Sequence, residues 1–213
     1  MPRDRGCFIV LEGIDGAGTT TQSQMIDRHL EDRGFASSLT REPTDHPVGM
    51  LIREALSGRV ADGNSLGKIM LCEESLCLLF AADRIEHSRD IEALRDRNTH
   101  VVCDRYILSS IAYQSLDPRV VPERVIEVNR GIAVPDVTFF LEVPVDECLK
   151  RLQTRSDSPT VYEKREILHR IVHNYEATRQ LYEKHFGPVV HIDGRPRAEV
   201  VHDEIIGHLD NYL

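Results

Sequence analysis

The stretch that most constrains this chain is Cys7-Phe-Ile-Val-Leu11, which runs through Glu12 into Gly13-Ile-Asp-Gly-Ala-Gly-Thr-Thr-Thr21. A short, continuously apolar run reads as a strand buried on both faces. The run from Thr20 to Arg33 is helical in pattern and stops at Gly34. Strand, glycine-rich turn and helix N-terminus, in that order, make the setting in which backbone N–H groups converge on a phosphate and the helix dipole adds partial positive charge. Gly13, Ile14, Asp15, Gly16, Ala17 and Gly18 follow the spacing G-x-x-x-x-G-K-[ST], and Thr20 stands where a Mg²⁺-binding hydroxyl belongs. Position 19 departs from the pattern, with Thr19 where the motif has Lys. The plainer reading is a capped turn after a buried strand. A dinucleotide fingerprint starting at Gly16 fails, because position 21 is Thr.

The same alternation continues along the chain. Strand patterns fall at Phe35–Thr40, His100–Cys103, Val137–Val143 and Val189–Ile192. Helical patterns fall at Val48–Leu56, Ser65–Leu94, Tyr106–Gln114, Pro122–Asn129, Val145–Gln153, Val161–Lys184 and Arg197–Leu213. Strands separated by helices predict a three-layer α/β/α unit around a five-stranded parallel sheet. No repeat or linker divides the chain, so residues 1–213 are expected to form a single domain. The polar segment Thr154–Thr160 reads as a loop between two helices.

Composition narrows the function. A net charge of −9 over 213 residues makes bulk attraction to nucleic acid or to an anionic membrane unfavourable, so a bound anion needs a local cluster of donors. The basic residues divide into 22 Arg and 4 Lys, a bias that suits phosphate and carboxylate recognition and equally reflects genome composition. Five cysteines, none in a C-x-x-C pair, read as reduced thiols of a cytoplasmic protein. No targeting segment and no membrane span is expected.

Further constellations carry chemistry. Asp104 ends the third strand pattern, where it either holds hydrated Mg²⁺ beside the loop or N-caps the helix that follows. Arg105, Ser109 and Tyr113 are spaced i, i+4, i+8 and share a helix face, with Ser110 and Gln114 beside them. That face is a polar small-molecule site or a solvated surface. Arg41, in Thr40-Arg-Glu-Pro43, leaves the second strand toward the same cleft or is a common strand exit. Phe80 and Arg84, four apart, either stack on and hydrogen-bond a nucleobase or are a core aromatic beside a surface cation. Arg151 and Arg155 are like charges at i, i+4, relieved by a phosphate between them or by Glu147 and Asp157.

Taken together, Phe8-Ile-Val-Leu-Glu-Gly-Ile-Asp-Gly-Ala-Gly18, T-R-E-P at 40–43, L-L-F-A-A-D-R at 78–84, D-R-Y-x-x-S-x-x-A-Y-Q at 104–114 and P-D-V-T-F-F-L-E-V at 135–143 resemble the thymidylate kinases. The resemblance implies a P-loop kinase that moves the γ-phosphoryl of ATP to dTMP with Mg²⁺. Gly13 to Thr20 would wrap the ATP phosphates, with Thr20 and Asp104 near the metal. Asp15 would meet the deoxyribose hydroxyl, Phe80 would stack on thymine and Arg84 would bond its edge. Arg41 and Arg105 would hold the acceptor phosphate, with Ser109, Ser110, Tyr113 and Gln114 completing the nucleoside pocket. Residues 151–162 would form a lid hinged at Glu163, its Arg151 and Arg155 covering part of the charge that Thr19 lacks. Gly16, where some relatives carry Arg, is in keeping with lid arginines. The family's members are generally homodimers. Two other readings remain open: a deoxynucleoside kinase, and a nucleotide-binding protein weakened in catalysis by the loss of Lys.

Overall fold

The computed structural model describes residues 5–57, 71–153 and 161–213. Its sheet has five parallel strands in the order β2-β3-β1-β4-β5. These are β1 (Phe8–Glu12), β2 (Ser37–Arg41), β3 (His100–Asp104), β4 (Val137–Glu142) and β5 (Val189–Asp193). The helices are α1 (Thr19–Asp32), α2 (Pro47–Ser57), α3 (Glu73–Arg95), α4 (Ile107–Gln114), α5 (Pro122–Val128), α6 (Val145–Gln153), α7 (Val161–Phe186) and α8 (Ala198–Leu209). Helices α1 and α8 pack on each other, as do α3, α4, α5 and α7, giving the three-layer α/β/α arrangement.

The apolar-run reading finds all five strands but misjudges their ends. Every strand finishes on a charged residue: Glu12, Arg41, Asp104, Glu142 and Asp193. A backbone ladder is indifferent to side-chain polarity, so pairing continues past the last apolar residue, as in Leu11 with Asp104 and Glu142 with Asp193. Because the strands are parallel, all five charges gather at one edge of the sheet. Burial on both faces holds for β1, which is wholly enclosed, and nearly for β3; the outer strands β2 and β5 are only partly covered.

Strand order reverses at β1, with β3 on one side and β4 on the other. A crevice opens outside the carboxyl ends of the strands at such a point. The segments leaving β1 and β3 both enter it.

Candidate active site

The segment after β1 makes the turn that its glycines predict. Gly16 has φ 88° and Gly18 has φ 105°, a left-handed region that costs glycine little. Gly18 is the N-cap residue of α1. A Cβ on Gly16 would come 2.7 Å from the carbonyl oxygen of Cys148 in α6, so this position has no space for a side chain. The loop and the start of α1, Asp15 to Gln22, line a cavity of about 1010 Å³. Arg105, Tyr113, Lys150, Arg151 and Arg197 border the same cavity. Thr19 is the first residue of α1 and is buried, its methyl group directed toward Gly13.

Thr20 and Asp104 meet across the crevice, the Thr20 hydroxyl donating to Asp104 Oδ2. The second oxygen, Oδ1, is buried with no protein partner. The N-cap reading of Asp104 is therefore corrected. Residue 104 still belongs to β3, and α4 begins at Ile107 with Tyr106 as N-cap residue and no side-chain cap of its own. Arg41 stands at a smaller cleft of about 270 Å³ lined also by Thr20, Thr40, Asp45 and Asp104. Its guanidinium pairs with Asp45 at 3.1 Å and is largely exposed.

Arg105 joins the two halves of the crevice. Its backbone sits at φ 70°, a conformation that costs a non-glycine residue on the order of 1 kcal/mol or more and that clusters at functional sites. Its Nη2 donates to Asp15 at 2.7 Å, and its Nη1 donates to the Tyr113 hydroxyl at 3.0 Å and to Ser109 Oγ at 3.4 Å. The Tyr113 hydroxyl also donates to Asp15 at 3.3 Å. Arg105, Ser109 and Tyr113 converge, though not as one helix face: Arg105 precedes α4 with a left-handed backbone and reaches back to the other two, and the convergence captures Asp15 from the loop.

Glu12, given no role by the sequence, lies beneath this cluster and is fully buried. Its carboxylate accepts the Tyr106 N–H at 3.0 Å, the Ser109 N–H at 3.1 Å and the Ser109 hydroxyl. Burial pushes its pKa from the ordinary 4.5 up to about 7, against the opposing pull of Ser109 and Arg105. Tyr175 of α7, also missed, shares a 2.9 Å hydrogen bond with Ser109 Oγ and donates to the Gly13 carbonyl at 3.4 Å. The one sequence signal for Glu12 was a lone acid at the end of an apolar strand. Tyr175 had none, being one aromatic among many on an amphipathic helix.

Arg84 is neither a surface cation nor solvent-facing, which corrects that alternative. It is 1% exposed and is the largest fully buried side chain among the described residues. Its Nε donates to Glu42 at 2.8 Å, Nη1 to Asn129 at 2.8 Å and Nη2 to Ser110 at 2.8 Å, while the guanidinium lies over the Tyr106 ring. Glu42 also meets His87 Nδ1 at 3.0 Å. Phe80 is half-buried one turn before Arg84. Gln114 is buried, with its Oε1 unpartnered.

Arg151 braces the loop from outside, donating to the carbonyls of Ala17 at 3.3 Å and Gly194 at 3.0 Å. Glu147 lies 3.4 Å away, so the relief of charge by Glu147 is real. Arg155 and most of the expected lid, with the Thr154–Thr160 loop, lie outside the described residues, as does the 65–70 portion of the expected third helix.

Comparison with known proteins agrees with this construction. The family model for thymidylate kinase matches residues 11–205. A protein of Methanocaldococcus jannaschii named "Probable thymidylate kinase" is 40% identical over 207 residues, covering 96% of each chain. Another so named, from Methanococcus aeolicus, is 37% identical over 204 residues, covering 95% of each. One from Pyrococcus horikoshii is 36% identical over 215 residues and covers 98% of each. A P-loop on a parallel sheet, the acceptor-side cluster on α4 and a match along nearly the whole chain lead to one conclusion: this protein belongs to the thymidylate kinase family.

Proposed function

We propose that the chain transfers the γ-phosphoryl group of ATP to the 5′-phosphate of dTMP, giving ADP and dTDP. The observation that carries this is the meeting, at one cavity, of the glycine turn and start of α1 with the Arg105–Asp15–Tyr113 cluster. The first suits the polyphosphate of a donor; the second presents a guanidinium to an acceptor phosphate and a carboxylate to a sugar hydroxyl. Arg41 adds a second cation at the mouth. Phe80 would stack on the base; Arg84, buried and committed to Glu42, Asn129 and Ser110, would serve this pocket chiefly by holding its wall, with the buried Ser110 and Gln114 beside it. Tyr113 against the sugar disfavours a 2′-hydroxyl.

The acceptor oxygen is already anionic, so in-line attack needs no strong general base; alignment and charge neutralisation lower the barrier. Mg²⁺ with ATP fits the residues present. Thr20 and Asp104 would hold it, and the buried Oδ1 of Asp104 is an acceptor with no hydrogen-bond partner among the described residues. The ion when bound would neutralise charge on the donor phosphates. With Thr19 neutral, the remaining positive charge comes from Arg105, Lys150, Arg151 and Arg197 around the cavity, to which Arg155 would add its own if the family resemblance extends to the lid. Arg151, tied to the Ala17 and Gly194 carbonyls, acts mainly by fixing the loop.

The working unit is one domain, and a homodimer is supported by exposed Met50 and Leu56 of α2 and Leu78 and Ile85 of α3, on two helices that pack together. Five free thiols favour a reducing, cytoplasmic setting. Among the described residues no helix is long and apolar enough to cross a membrane.

The test is ADP release with ATP, Mg²⁺ and a panel of acceptors. Turnover with dTMP and none with thymidine is expected. Preference for thymidine would establish a deoxynucleoside kinase, and nucleotide binding without turnover a binding protein.

A further inference from the structure

We propose that Glu12 is a positioning residue that couples the donor loop to the acceptor-binding arginine, by capping α4 from β1 and turning the Ser109 hydroxyl so that its lone pairs serve Arg105. This rests on the reading of the chain as a dTMP kinase and deepens it.

A helix opens with backbone N–H groups that lack partners within it, and a side chain near its own start ordinarily satisfies some of them. Helix α4 has no such cap. The carboxylate that accepts the N–H groups of Tyr106 and Ser109 comes instead from Glu12, 94 and 97 residues away. Glu12 immediately precedes Gly13, the first residue of the donor loop. The same carboxylate therefore fixes the root of the loop and the helix that carries the acceptor cluster.

The hydroxyl of Ser109 transmits this fixing to Arg105. A serine hydroxyl has one proton to give and two lone pairs to offer. Here the proton goes to Glu12, which leaves the lone pairs for Arg105 Nη1 at 3.4 Å and for the Tyr175 hydroxyl proton, divided between Ser109 Oγ at 2.9 Å and the Gly13 carbonyl at 3.4 Å. Were Glu12 to carry a proton, or an amide in its place, it would donate into Ser109 and compete with Arg105 for the same lone pairs. The charge on Glu12 is surrounded from every side by groups that register it: Cys103 and Arg105 at the end of β3, Arg84 of α3, and Tyr175 and Tyr182 of α7.

The experiment compares wild type, Glu12→Gln, Ser109→Ala and the double variant across pH 6–9. KM for dTMP, KM for ATP and kcat are measured, with dTMP affinity by calorimetry and thermal unfolding as a fold check. Glu12→Gln keeps shape and acceptor atoms for α4. It is expected to raise KM for dTMP about tenfold while leaving KM for ATP within about twofold. Ser109→Ala should do the same, and the double variant should add nothing further, since both act through one link. Wild type should lose dTMP affinity below neutral pH more steeply than Glu12→Gln, the phosphate's own ionisation near about 6 being common to both.

Unchanged dTMP affinity and an unchanged pH profile in Glu12→Gln would overturn the proposal. So would equal loss of ATP and dTMP binding, or additive effects in the double variant, which mark a general structural role. The kinase reading fails separately: dTMP binding to wild type without turnover removes the activity and leaves the coupling testable by calorimetry. No dTMP binding to wild type overturns both.

Discussion

The two banks of the crevice are made of different materials. The donor bank is backbone: a glycine turn and a helix start, with a neutral Thr19 where a cation would be expected. The acceptor bank is side chains, layered in depth: Arg105 with Asp15 and Tyr113 at the surface, Glu12 and Ser109 beneath, Arg84 with Glu42 in the floor. Backbone donors are placed by the fold and tolerate substitution around them. A layered side-chain network has no such tolerance, because each member is held by the next. The acceptor bank is thus the rigid reference, and the donor bank the place where charge is supplied from elsewhere.

The contrast breaks most visibly at Arg84. Arg84→Leu would leave the buried Glu42 carboxylate with His87 but without its guanidinium, at a cost of about 3–5 kcal/mol. Chemical denaturation should show that loss, together with collapse of dTMP binding; a stable, active variant would mean the floor is dispensable. Arg105→Ala should keep the fold and lower kcat/KM for dTMP by about 10²–10³ with little change in ATP affinity. Losses divided equally between the two substrates would erase the distinction between the banks.

Glu12 sharpens the comparison through pH. Its carboxyl holds a proton more tightly in the folded protein, at about 7 against the ordinary 4.5. The folded state therefore binds the extra proton between those values, and stability falls as pH rises from about 4.5 to about 7, then levels off. The full contribution is about 3 kcal/mol by the size of the shift. Denaturation at pH 5 and pH 8 should show this decline in wild type and a smaller one in Glu12→Gln. The smallest effect is expected at Thr19→Lys, a gain of about tenfold in kcat from one added cation. No gain would mean that the other cations around the cavity already suffice.

What the sequence could and could not reveal divides along the same line. The donor loop was legible residue by residue, because strand, turn and helix start are contiguous and the motif is local. Ser109 and Tyr113 were legible as one helix face for the same reason, helical spacing being a local property; Arg105 joins them from outside α4 through a left-handed backbone that spacing does not reveal. The layers beneath were not. Arg84 looked like a surface cation because its own helix shows nothing of Glu42 or Asn129, which arrive 42 and 45 residues away. Asp104 looked like a cap because the true cap comes from another strand. Four of the five strand ends were placed one residue too early, β4 alone being drawn one residue too long, because hydrophobicity stops where pairing does not, and the charged residues at those ends are the ones that border the crevice.

The close approach of α6 to Gly16 closes one evolutionary route. A bulkier residue there would collide with the Cys148 carbonyl, so a guanidinium cannot be grafted at position 16 unless the neighbouring helix retreats. Compensation for Thr19 must therefore arise at a position other than 16, and selection for faster turnover loses one address at which to act.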